Sequence, residues 1–185
     1  MTAPELSDFV LVGGTSLALR LGHRESVDID LFADSELDAV DLPKILSQFG
    51  PTQIIKKSPK IQVFVVSDVK IDFVSYRYPL IEPVQVIDNL RLASFKDIAA
   101  MKLNAIAGRG SKKDFIDLYF LLRQFSLTEM MGFYNEKYFD GSEFMVLKSL
   151  SYFDDADREP SPELYEEVDW GEIKSHIIKA SAALM

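Results

Sequence analysis

The chain of 185 residues has no cysteine, which removes disulfide frameworks, thiolate zinc sites and thiol nucleophiles at once. Its two histidines are too few to build a zinc site without thiolates. No apolar run approaches the roughly 20 residues that cross a bilayer. The opening MTAPELSDFVLV also lacks the basic leader and cleavage site of a secretory signal. The expectation is a cytoplasmic protein with no membrane association. Basic residues are in deficit as well, 20 Lys+Arg against 29 Asp+Glu for a net charge of −9. Taken over the whole surface, that argues against a protein that coats nucleic acid through phosphate contacts. The deficit is uneven: Asp154 to Asp169 holds eight acids and one base, so this stretch carries −7 and the remainder −2. With Pro160 and Pro162 inside it, the stretch reads as a solvated linker between helices.

What is present is a hydrophobic fraction of 48%, enough for one ordinary domain or two small lobes sharing a core. No internal repeat or low-complexity tract interrupts it. Phe9 to Val12 is a short apolar run closed by Gly13-Gly14, and Ser16 to Leu21 has helical composition. Val27 to Phe32 alternates acid and apolar residues as a half-buried strand does. Leu42 to Phe49 suits a helix with Pro43 in its first turn and Gly50-Pro51 after its end. Ile61 to Val66 and Lys70 to Tyr76 read as two strands joined at Ser67-Asp68, and Pro79 and Pro83 then end the sheet. From about residue 93 the period becomes helical. Ser94 is placed to cap a helix to Ala107, and Ser111, after Gly108 and Gly110, to cap another through Leu122. Further helices are expected near 127–138, 142–151 and 170–184. The expected organisation is an α/β core over residues 1–92 and a helical lobe over 93–185.

The chemistry concentrates in the first core. On a strand, Asp28 and Asp30 project to one side while Val27, Ile29 and Leu31 project to the other. Two carboxylates about 4 Å apart repel by roughly 4 kcal/mol at an effective dielectric of 20, so they require a cation or open water. Taken alone, such a pair is most simply a solvated strand face. Two neighbours change the balance. Gly13-Gly14-Thr15-Ser16 places a double glycine and two hydroxyls between a strand and a helix start, where backbone N–H groups can approach a phosphate. The turn is neither a P-loop nor a GxGxxG dinucleotide turn, and Ser16 lacks the GxSxG setting of a nucleophile. Asp72, on the strand beginning at Lys70, adds a third carboxylate. Such a hard oxygen set suits Mg²⁺, which takes one or two carboxylates plus substrate phosphates.

In the helical half, Lys102 and Arg109 are seven residues apart and share a helix face. Lys113, Asp114 and Asp117 follow on the next helix. Taken alone, these residues are interhelical ion pairs worth about 0–1 kcal/mol each if exposed. Beside the aspartates, the cations suit charge building on a leaving pyrophosphate, with Asp114 orienting a base. His23 and His176 are read as incidental, and Tyr119, Phe120, Leu121 and Trp170 as packing residues.

The run from Gly13 through Gly22-His23-Arg24-Glu25-Ser26 to Asp28-Ile29-Asp30-Leu31 resembles the signature of nucleotidyltransferases related to DNA polymerase beta. More closely, it resembles the AbiE/AbiG abortive-infection toxins of type IV systems. Lys102, Ala105 and Arg109 match that family's Lys-x-x-Ala-x-x-x-Arg helix, and Lys113, Asp114, Asp117 and Leu118 match its basic-Asp-x-x-Asp-Leu motif. The resemblance covers residues 9 to 122 and implies an α+β (α/β) fold, a mixed-sheet core followed by a helical lobe. It implies transfer of a nucleoside monophosphate from an NTP, with Mg²⁺ on Asp28, Asp30 and Asp72 and catalytic roles for Lys102 and Asp114. Gly13, Gly14, Thr15, Ser16, Arg24, Ser26, Arg109, Lys113 and Asp117 would bind the nucleotide. An RNA acceptor, such as a tRNA end, and an antitoxin protein are the implied partners. The alternatives are an antibiotic-modifying enzyme with a small-molecule acceptor and a non-catalytic nucleotide-binding module.

Overall fold

The computed structural model describes residues 3–184. In chain order the regular elements begin with β1 (Val10–Val12), α1 (Gly13–Leu21), β2 (Ile29–Ala33) and α2 (Leu42–Leu46). The strands β3 (Thr52–Lys57), β4 (Ile61–Val66), β5 (Val69–Ser75), β6 (Gln85–Ile87) and β7 (Leu90–Leu92) follow. The rest is helical: α3 (Phe95–Gly108), α4 (Lys112–Leu121), α5 (Leu127–Lys137), α6 (Glu143–Ser149), α7 (Asp154–Asp157) and α8 (Trp170–Ala182). The strands form a seven-stranded mixed sheet in the order β3-β4-β5-β2-β1-β7-β6. β2 runs parallel to β5 and β1 parallel to β7, while the remaining pairs are antiparallel. This is the α+β architecture expected from the sequence. Among the described residues no helix is long and apolar enough to cross a membrane.

Alternation along the strands separates two cores. Leu11, Leu31, Phe64 and Phe73 point to one face and pack on Leu37, Leu42, Ile45 and Leu46. Val10 and Val12 point to the other, where Ile98, Leu103, Phe115 and Leu118 of the helical half meet them. Each fully buried Phe or Leu contributes about 1.5–3 kcal/mol, so the two cores rather than strand propensity hold the short central strand β1. Ser94 and Ser111 cap as expected, accepting from the Asp97 amide at 3.0 Å and the Asp114 amide at 3.4 Å. Tyr119, Phe120 and Leu121 are buried as expected.

Four expectations need correction. The sheet does not end at Pro79 and Pro83, because β6 and β7 extend it. Their hairpin turns at Asp88-Asn89, both at positive φ (50° and 62°), a two-residue turn that matches strand twist. β3 was not expected. It is an edge strand with exposed Ile54 and Ile55 and a register shift between Ile54 and Lys56, so it lacks clean alternation. The acid-bearing strand begins at Ile29, leaving Val27 exposed and Asp28 one residue outside β2. The acidic stretch is no free linker. It opens with α7 and pairs Leu164 with Arg24 in an isolated bridge, the Glu25 amide donating to Glu163 and the Tyr165 amide to His23.

Candidate active site

Two close approaches explain the double glycine. A Cβ on Gly13, whose φ is +70°, would lie 2.4 Å from Asp30 Oδ2, and one on Gly14 would lie 2.3 Å from Arg24 Nη2. Any side chain would push the turn off the strand that carries Asp30. Thr15 adds a clip: its hydroxyl lies 2.9 Å from Ser26 Oγ and donates to the Asp28 carbonyl, tying the approach to β2 onto α1. Ser16 Oγ is buried at the start of α1 without a hydrogen-bond partner among the described residues.

Asp30 and Asp72 are direct register partners on parallel β2 and β5, so their carboxylates project from one face. Burial, and then the facing Asp72 carboxylate, push the Asp30 acid above its usual range, with Lys102, Lys70 and Arg109 pulling the other way. Asp72 Oδ2 accepts from Lys70 Nζ at 2.6 Å, while its Oδ1 is buried with no partner among the described residues. Asp28 is half-buried, and its side chain makes no hydrogen bond among the described residues. No three carboxylates or histidines among the described residues close into a ready metal cage. The arrangement is an open pair with one orphaned oxygen.

The other motif charges are internal. Asp117, buried on α4, takes two hydrogen bonds from Arg24 at 2.7 and 2.9 Å and lies 2.5 Å from Lys102 Nζ. His23 Nε2 donates to it at 2.8 Å, since a carboxylate can only accept. Burial alone would raise the Asp117 acid, but the Lys102 charge and the His23 and Arg24 hydrogen bonds hold it well below the usual range. Asp114 is held down in the same sense by Lys102, Arg109 and Ser111 against its own burial. It accepts from Lys102 at 3.0 Å, from Arg109 at 2.8 and 3.1 Å, and from Ser111 at 2.7 Å. Burial works to lower the Lys102 pKa, yet Asp117 and Asp114 raise it.

These contacts correct several assignments. Arg24 is buried with its guanidinium spent on Asp117 and the Glu25 carbonyl, so it offers nothing to a phosphate. Asp117 presents no surface to a nucleotide and acts as the centre that positions its neighbours. His23, read as incidental, belongs to this network. Lys102, Arg109 and Lys113, expected as cations beside a leaving pyrophosphate, do not share one surface, nor does neighbouring Lys112 join them. Lys102 is buried, and Lys112 is buried against Glu159, whose carboxylate accepts from its amide at 2.8 Å and whose carbonyl accepts from its ammonium. Arg109 does face outward, its side chain 70% exposed although anchored on Asp114.

A cleft of about 380 Å³ opens between the sheet and α3. Gly13, Asp30, Lys102 and Arg109 stand on its wall, while Lys113, exposed on α4, does not line it. The sequence reading missed Tyr76, Tyr138 and Asn104, which line the same cleft. The two tyrosine hydroxyls lie 2.6 Å apart, and burial pushes the Tyr76 phenol up to about 12 and raises Tyr138 also. Aromatics in a helical run read as core, which is why nothing in the sequence set Tyr138 apart. The donor set on this wall is hard oxygen and fixed cations, suited to a phosphorylated ligand.

Residues 1–183 match the family described as nucleotidyl transferase AbiEii toxin, type IV toxin–antitoxin system. An uncharacterised protein of Aquifex aeolicus (strain VF5), aq_aa25, is 39% identical over 176 residues, covering 91% of this chain and 84% of that protein. JHP933 from Helicobacter pylori shares the fold at a TM-score of 0.62 with 19% identity, over 96% of this chain and 83% of its own. MenT4, the nucleotidyltransferase toxin Rv2826c from Mycobacterium tuberculosis H37Rv, shares it at 0.60 with 15% identity, over 95% and 75% respectively. With the family matched along almost its whole length and the fold shared with nucleotidyltransferases, the chain belongs to the AbiEii nucleotidyltransferase toxin family.

Proposed function

We propose that the protein transfers a nucleoside monophosphate from an Mg²⁺-bound NTP to an RNA acceptor, as the toxin of a type IV system restrained by an antitoxin protein. The supporting observation is the register pair Asp30 and Asp72 with its orphaned Asp72 Oδ1, set against Gly13, whose positive φ and close approach to Asp30 disfavour a side chain. A buried carboxylate oxygen without a partner is costly unless an absent ligand completes it. Two in-register carboxylates, with Asp28 at the margin, match the one or two that Mg²⁺ takes beside phosphates. The residues present therefore fit the ion. When bound there, Mg²⁺ supplies neutralisation of triphosphate charge and a polarised phosphoryl centre.

The chain's own groups do the rest. Backbone N–H groups of the Gly13-Gly14 turn, at the positive end of α1, hold phosphate oxygens, with Thr15, buried Ser16 and Ser26 shaping the turn. Arg109 reaches the phosphates from the cleft rim, kept in place by Asp114. Lys102 contributes a fixed positive charge behind Asp30, and Arg24 and Asp117 hold that lysine in place. The acceptor hydroxyl oxygen attacks the α-phosphorus, a P–O bond forms, and the bond to the bridging oxygen breaks to release pyrophosphate. The Asp72 carboxylate takes the acceptor's proton. Lys113 supplies general positive charge outside the cleft.

The test is incubation with each labelled NTP, Mg²⁺ and total cellular RNA. The expected result is label in RNA that is abolished by chelation and by Asp30→Asn. Label moving to an aminoglycoside instead would assign a small-molecule acceptor, and Mg²⁺-dependent NTP binding without transfer would assign a binding module. Wild-type transfer by Asp30→Asn would overturn the site.

A further inference from the structure

The acidic total hides a basic segment. Residues 51–70 carry four lysines, Lys56, Lys57, Lys60 and Lys70, against one acid, Asp68, a local charge of +3 in a chain of −9. The structure gives this segment a position. Lys56 pairs with Val63, Val63 with Asp72, and Asp72 with Asp30, a single row across four strands. Residues directly opposite one another project from the same face, so Lys56 shares the face of the two carboxylates. At about 4.8 Å per strand, its backbone stands about 10 Å from that of Asp72. Lys70 lies on the same face and already touches Asp72.

This face is open. The core beneath the helical half takes no residue from β3 or β4, and α2 packs on the opposite side of the sheet. Lys56, Lys57 and Lys60 are exposed and form no ion pair with any described residue. Lysines often guard a sheet edge against pairing with another chain, and Lys57 on the bulged β3 serves that end. Edge protection does not account for Lys60 in the β3–β4 turn or for Lys70 on an inner strand. It also leaves unexplained why Lys56 stands in the row of Asp72, the residue proposed to receive the acceptor. The cations of the helical half are committed elsewhere: Arg24, Lys102 and Lys112 are buried in pairs.

We infer that the β3–β5 face is the docking surface for the acceptor, an RNA whose phosphates lie along Lys56 and Lys60 and whose reacting end is delivered to Asp72, while Lys57, paired with Gln62, projects from the opposite face. The inference rests on the proposed transfer reaction and names the side from which its acceptor enters. A polyanionic acceptor is favoured over an acidic protein because Lys56 stands in the row of Asp72 and Asp30, with Lys70 on the same face. An acidic protein would need no such continuity.

The test measures binding of total tRNA as a function of salt for the full chain, the Lys56→Gln/Lys57→Gln/Lys60→Gln variant and a control. The control, Lys44→Gln/Lys148→Gln/Lys179→Gln, removes the same charge from exposed positions on other elements. Each neutralised phosphate contributes about 0.7 to the slope of log affinity against log salt for a single strand. The hairpin variant is therefore expected to lose about 1.4 units of slope, from the two lysines on this face, and at least about tenfold in affinity near 100 mM salt, with the control unchanged. Equal affinity and slope in the hairpin variant would overturn the surface, as would an equal loss in the control. Absence of RNA binding at low salt, with capture of an acidic protein by the hairpin lysines, would assign the patch to a protein partner and overturn it also. NTP-dependent transfer lost in Asp30→Asn but with RNA bound normally by the hairpin variant would sink this surface and leave the reaction standing.

Discussion

The aspartates of this protein fall into two groups that differ in how they are compensated. Asp114 and Asp117 are enclosed among Lys102, Arg24, Arg109, His23 and Ser111, and their acids lie well below the ordinary carboxylate range. Asp30 faces a like charge across β2 and β5, its acid is raised, and Asp72 keeps a buried oxygen with no partner among the described residues. The first group is satisfied by the chain itself and the second is not. Charges that the fold neutralises hold the helices to the glycine turn, while charges left over are where the proposed ligand would complete the structure. The same motif spacing thus encodes scaffold and site together.

The largest expected effect lies in the satisfied group. Asp117→Ala leaves Arg24 buried without its carboxylate and Lys102 with Asp114 alone, and the loss should be about 3–5 kcal/mol, read by urea unfolding. A change below about 1 kcal/mol would mean that the network is not what joins α4 to the turn. The opposite behaviour is expected across the sheet. Asp30→Asn and Asp72→Asn remove a facing repulsion, so the melting temperature should hold or rise while transfer falls by at least about 10²–10³-fold. Loss of folding in both variants would erase the distinction between the groups.

Acid sharpens it further. The depressed acids of Asp114 and Asp117 contribute stability that is fully present above the unfolded carboxyl pKa of about 3.9 and is lost as pH falls below it toward their folded values. Stability should drop steeply between about pH 5 and 2, and Asp114→Asn should flatten that fall. The smallest effect is alkaline. Tyr138 and Tyr76, raised by burial, stabilise the fold below the unfolded phenol pKa of about 10 and lose that contribution above it. Tyr138→Phe should reduce the decline in melting temperature between about pH 10 and 12.

Much of the site was legible because it is written as local spacing. Gly13-Gly14, Asp28-x-Asp30, the Lys102 to Arg109 helix and Asp114-x-x-Asp117 each occupy one element, where period 2 or 3.6 fixes which side chains share a face. What could not be read is which charge neutralises which. Arg24 and Asp117 meet across 93 positions, and no periodicity links a turn before β2 to the inside of α4. The same holds for the acidic stretch, whose Glu159 finds Lys112 and whose backbone finds Arg24. The β6–β7 hairpin was missed for a different reason. Pro79 and Pro83 were read as the end of the sheet, although Asp88-Asn89 carried a hairpin signal.

The claim that Asp30 and Asp72 are completed by a metal-bound nucleotide is tested most directly by titrating Mn²⁺, as a paramagnetic stand-in for Mg²⁺, in the presence of NTP. Electron paramagnetic resonance of the free ion reports binding independently of catalysis. Wild-type protein should take up Mn²⁺ in an NTP-dependent manner, and folded Asp30→Asn and Asp72→Asn proteins should show at least about tenfold weaker uptake. Equal uptake by all three proteins would contradict the assignment.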